Sequence, residues 1–134
     1  MAETIVAGYV RSPEGQAAVD AAVEEVRRRG GRLVVVHSSR GGPEDPGTVI
    51  EDRVALEQLE TRLRDEGIEV AVKDYARGKD PADDIADVAQ QENAALIVIG
   101  LRRRSPVGKL LLGSNAQEIL LSADCPVLAV KVPR

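Results

Sequence analysis

From Gly100 to Asn115 the chain gathers three glycines (Gly100, Gly108, Gly113), four cations (Arg102, Arg103, Arg104, Lys109) and the pair Ser114-Asn115. A glycine allows close backbone approach, a serine caps a helix, and the amides behind such a cap point at an anion. Guanidinium and ammonium groups add charge suited to phosphate. Such a loop could bind phosphate. The same residue types also build plain helix-start turns and solvated basic loops, so the position of the segment in the fold has to decide.

Fewer residues suggest catalysis. His37 is the sole histidine, at the carboxyl end of an apolar run beside Val36, where it could meet an adenine or shuttle a proton. General-base work needs a partnered nucleophile and an orienting carboxylate, and no local pattern announces either. Cys125 precedes Pro126 and reads as a small buried hydrophobe. Asp80, Asp83, Asp84 and Asp87 read as charge complementing a helix N-terminus rather than as metal ligands. Tyr9 and Tyr75 show no partner pattern.

Short β-branched runs at 5–7, 33–36, 95–99 and 127–130 suit strands covered on both faces, and 68–73 suits an edge strand. Between them the period becomes helical. Val19, Ala22, Val23 and Val26 mark a first helix opened by Ser12-Pro13, and Leu56, Leu59 and Leu63 a second ending near Gly67. Ile85, Val88 and Ala89 mark a third after Asp80-Pro81. A fourth starts at Ser114 as its cap, carries the stripe Ala116, Ile119, Leu120 and Ala123, and ends before Pro126. The stretch from Ser38 to Gly47 reads as a loop. Alternation of strand and helix implies an α/β fold, a mostly parallel sheet with helices on both faces. Ligands of such sheets sit at the strand carboxyl ends, where the segment after the fourth strand lies.

Composition narrows the function. The 134 residues make about one domain, 1–134, and the net charge of −4 gives no drive toward nucleic acid or anionic lipid. Without Phe or Trp there is no aromatic platform for stacked bases. One cysteine builds no disulfide framework, and the N-terminus shows no leader pattern. A cytoplasmic protein is expected, with no membrane partner.

Residues 96–100, 105–114 and 125–130, in that order, look like a C-terminal signature, and Ile5-Val6-Ala7-Gly8 adds a weaker match. On these segments the chain resembles the universal stress protein family. In its nucleotide-binding members a glycine, two residues, a second glycine, nine residues and Gly-Ser or Gly-Thr form the phosphate loop. Gly100 and Gly113-Ser114 take the outer places, Arg103 stands at the second glycine, and Val10 stands where an aspartate follows the first strand.

The resemblance implies a five-stranded parallel sheet of order 3-2-1-4-5, Rossmann-like and similar to adenine-nucleotide alpha hydrolases. It implies a regulatory binding protein, not an enzyme, that holds ATP or AMP, with Mg²⁺ accompanying ATP. The residues expected at the nucleotide are Val36, His37, Gly100, Arg102, Arg103, Gly108, Gly113, Ser114 and Asn115. It also implies a homodimer through the last strand, Val127 to Val132, whose apolar edge otherwise lacks cover. The alternative is a dimeric interaction module of the same fold without nucleotide, and a slow nucleotide hydrolase is the third reading.

Overall fold

Strands apolar on both faces need two layers of helix, and the chain supplies them in strict alternation. The computed structural model describes residues 3–40, 46–78, 80–101 and 113–132. Its elements are β1 (Thr4–Gly8), α1 (Pro13–Arg29), β2 (Arg32–Arg40), α2 (Pro46–Asp65), β3 (Val70–Gly78), α3 (Pro81–Gln91), β4 (Leu96–Leu101), α4 (Ser114–Ser122) and β5 (Val127–Lys131). The strands pair in parallel in the order β3-β2-β1-β4-β5, as expected.

Successive side chains of a strand point to opposite faces, and that period divides the core in two. Ile5 and Ala7 of β1, Leu33 and Val35 of β2, and Leu96 and Val98 of β4 pack against α1 and α2. Their neighbours Val6, Val34, Val36, Ile97 and Ile99 pack against α3 and α4.

Helix α1 begins as its sequence dictates. Ser12 Oγ accepts a hydrogen bond from Gly15 N at 3.2 Å, and Pro13 sits where its missing N–H costs nothing. Ala18, Val19, Ala22, Val23 and Val26 are buried, while Arg27 to Arg29 occupy the last turn, where cations suit the helix dipole. At the amino end of the sheet, Arg32 donates to Thr4 Oγ1 at 3.1 Å and to Glu92, which Lys73 Nζ approaches at 3.6 Å. The Arg32 hydrogen bond holds the Glu92 carboxyl below the usual carboxylate range.

Several boundaries differ from expectation. The stretch expected as loop from Ser38 to Gly47 opens instead as strand: Ser38 stays in the ladder opposite Tyr75 and β2 runs to Arg40 past an irregularity, while residues 41–45 lie outside the described ones. Helix α2 then starts at Pro46, a residue well suited to a first turn. Strand β3 is the expected edge, but it occupies Val70–Gly78 rather than 68–73: Asp74 and Tyr75 continue the pairing with His37 and Ser38. In α4, Ser114 is the first helical residue and Gly113 the cap. Its expected stripe is incomplete, since Ile119 is the one buried residue and Leu120 is 43% exposed. Leu120 lies a step beyond the line of Ala116, Ile119 and Ala123 that faces α3 and the sheet.

Candidate functional site

Because β1 pairs with β2 on one side and β4 on the other, the chain leaves its carboxyl end toward opposite faces, and a crevice opens there. The cleft has a volume of about 240 Å³. Gly8, Tyr9 and Val10 form the β1 wall, Val36 and Ser38 the β2 wall, and Ile99, Gly100 and Leu101 the β4 wall. The first turn of α1 and the start of α4, Gly113 to Ala116, close the remaining sides.

The start of α4 carries the chemistry. The amides of Ser114, Asn115 and Ala116 have no acceptor within the helix, since Gln117 N is the first to reach back, to Gly113 O at 3.0 Å. The cap residue, Gly113, has no side chain to offer them. Amides without an acceptor in the helix and the positive end of the dipole are suited to an anion. Beside them the side-chain oxygen of Asn115 is buried, with no hydrogen-bond partner among the described residues. Across the cleft Ser38 Oγ donates to the Asp84 carboxylate on α3, and both groups are buried.

Gly100 also has a packing role. A Cβ there would lie 2.1 Å from the Glu14 carbonyl oxygen, so the glycine lets α1 sit down on β4. Gly15 does the same beside it, where a Cβ would meet Val10 O at 1.9 Å. Ser12 N bonds that same carbonyl at 2.8 Å. Gly113 has φ −70° and ψ 164°, an extended backbone that any residue adopts.

Of the residues expected at the nucleotide, the fold brings Val36, Gly100, Gly113, Ser114 and Asn115 together around the cleft. Arg102, Arg103 and Gly108 lie outside the described residues. His37 does not line the cleft: it follows Leu33 and Val35 toward the α2 face of the sheet. There Nδ1 is 2.8 Å from Asp74 Oδ1 and Nε2 is 3.8 Å from Asp52 Oδ2. Asp52 also accepts from Arg11 Nε at 2.8 Å, and Arg11 pairs with Glu51 at 3.0 Å. Hydrogen bonding to Asp52 raises the Arg11 pKa further. The imidazole thus joins β2, β3 and α2, and its ring centroid lies 6.5 Å from that of Tyr9.

Tyr9 and Ser38 line the cleft although neither is among the residues expected at the nucleotide. Burial pushes the Tyr9 hydroxyl pKa up. Ser38 was open to inference, because it stands two residues after Val36 and therefore on the same face.

A second groove, of about 490 Å³, runs between α3 and α4 and is lined by Asp83, Asp87, Asp124 and Cys125, among others. Burial, then the Asp124 charge, pushes the Cys125 thiol pKa up, which disfavours the reactive thiolate. No group of three or more His, Cys, Asp or Glu among the described residues is arranged to hold a metal. No helix among them is long and apolar enough to cross a membrane.

The sequence model of the Universal stress protein family matches residues 1–131. A universal stress protein of Mycolicibacterium smegmatis is 38% identical over 131 residues, covering 95% of this chain and 96% of its own. The solved universal stress protein from Archaeoglobus fulgidus aligns with a TM-score of 0.80 at 39% identity, over 98% of this chain and 99% of the other. A universal stress protein from Archaeoglobus fulgidus in complex with dAMP aligns with a TM-score of 0.75 at 34% identity, over 98% of each chain.

Proposed function

The chain belongs to the universal stress protein family, and from that premise we propose that it is a stress-response binding protein holding an adenine nucleotide in the cleft between β1, β4 and α4. One observation carries this reading: the start of α4, where the amides of Ser114, Asn115 and Ala116 have no acceptor within the helix, lines the same 240 Å³ cleft that the carboxyl ends of β1 and β4 enclose. The phosphate rests on those amides. Val36, Gly100 and Gly113 shape the walls, and we propose Arg102, Arg103 and Gly108 as further ligand residues on the family resemblance alone. The relative bound to dAMP, alike over nearly its whole length, supports the class of ligand.

Val10 supplies no side-chain oxygen at the mouth of the cleft, which favours a nucleotide held through its phosphate over one held through a metal. We assign no reaction, take residues 1–134 as one domain and place its work in the cytoplasm. We also propose a homodimer joined along Val127 to Val132. The partly exposed face of β5, with Leu128 39% exposed, and its place at the end of the sheet favour that edge.

Calorimetry and thermal melting with AMP, and with ATP with and without Mg²⁺, test the nucleotide. A ligand at a hundred times its Kd adds about 2.7 kcal/mol of stability, an easily visible rise in Tm. No heat and no rise at millimolar nucleotide would instead leave the dimeric interaction module as the function of this fold.

A further inference from the structure

A buried polar atom without a partner is uncommon in a folded protein and calls for a cause. Asn115 Oδ1 is the one such side-chain atom among the described residues, and it belongs to the second residue of α4, on the wall of the cleft. Nothing about α4 requires an amide there. Asparagine is a mediocre helix former, its side chain does not cap the helix, and the apolar side of α4 is carried by Ala116 and Ile119.

Two hydroxyls at or beside the cleft are matched. Ser38 spends its hydroxyl on Asp84, and Ser12 accepts from Gly15 N. The Asn115 oxygen has no such donor. Asn115 stands on the wall of the cleft, so a donor on a ligand seated there is what could meet the unpaired oxygen.

We infer that Asn115 determines ligand selectivity, its side-chain oxygen accepting a hydrogen bond from a donor on the bound nucleotide. This rests on the nucleotide reading above and refines it. The backbone amides of α4 take the phosphate of any ligand alike, whereas the carboxamide distinguishes ligands that bring a hydroxyl or amine to its position. Two groups of an adenine nucleotide have that chemistry, the ribose hydroxyls and the exocyclic amine of the base. A site built to hydrogen-bond a ligand group rejects analogues lacking it, because its own buried acceptor is then left unpaired.

The test is calorimetric titration with AMP, 2′-deoxy-AMP, 3′-deoxy-AMP and IMP, the analogues removing one hydroxyl, the other, or the amine. The unmodified protein should bind one analogue about tenfold more weakly than AMP, as loss of one neutral hydrogen bond predicts. Asn115→Ala should bind AMP and that analogue equally. Asn115→Asp keeps the acceptor and should keep the preference, though its charge weakens every phosphate. Circular dichroism confirms that each variant is folded, and either variant alone suffices if the other is not. Equal affinity of the unmodified protein for all four ligands overturns the inference, as does an undiminished preference in Asn115→Ala. Binding to none of the four removes the nucleotide reading itself.

Discussion

Replacing Gly100 with alanine puts a methyl group where α1 rests on β4. The new Cβ would meet three backbone atoms of Glu14: the carbonyl oxygen at 2.1 Å, the carbonyl carbon at 2.7 Å and Cα at 3.0 Å. Backbone cannot rotate aside as a side chain does, so the helix has to lift. Lifting it disturbs a layer in which Ala18, Val19 and Ala22 are fully buried. The cost should therefore reach the upper end of the ~1–3 kcal/mol typical of overpacking, about 10 °C in Tm for a chain of this size. Gly8→Ala is the comparison. Its Cβ would meet Ile85 Cδ1 at 2.8 Å, the far end of a side chain, and a displaced rotamer costs roughly 0.5–1.5 kcal/mol. Urea denaturation followed by circular dichroism ranks the two variants, and AMP titration of the still-folded proteins separates stability from binding. Should Gly100→Ala unfold at the same urea concentration as the unmodified protein yet lose AMP, the glycine serves the ligand and the packing account is wrong.

Two further predictions concern the ends of the sheet. Since the Arg32 hydrogen bond depresses the Glu92 pKa, its stabilising effect is complete above the ~4.3 of a free glutamate and vanishes as pH falls through the lower folded value. Glu92→Gln should lower the urea midpoint at about pH 7 and leave it unchanged at about pH 2, and an equal loss at both would show that the carboxylate charge is irrelevant. At the other end, Leu128→Lys should convert the proposed dimer to monomer by light scattering, because charges on an edge strand oppose pairing. A stable dimer in this variant would direct attention to another surface.

Much of the architecture was legible because β-branched runs and helical stripes differ in period, and alternating them constrains topology strongly. The errors cluster where one signal had to be weighed against tertiary pairing. Ser38 and Asp74 are polar, yet the ladder between β2 and β3 carries them further than their hydropathy suggests. Leu120 satisfies a helical spacing, but α4 packs along a narrower line. At the site, the glycines marked close approach without revealing to what: only the fold shows that Gly100 accommodates Glu14. His37 was placed at the right end of the right strand, and the face it takes follows from counting alternate residues from Val35. The unpartnered oxygen of Asn115 was beyond sequence reasoning, since an unmet acceptor is defined by everything around it.

Helix α1 sinks five apolar side chains and a glycine into its layer, whereas α4 fully buries Ile119 alone, with Ala116 and Ala123 packed beside it only in part. Local opening is cheapest where little apolar surface is held, so the turn offering its amides to an anion is poised near the margin of its own order. Occupancy of the cleft is then also a fastening. A bound anion would slow amide exchange along α4, and the strand it leads into would report that occupancy to whatever is paired beyond it.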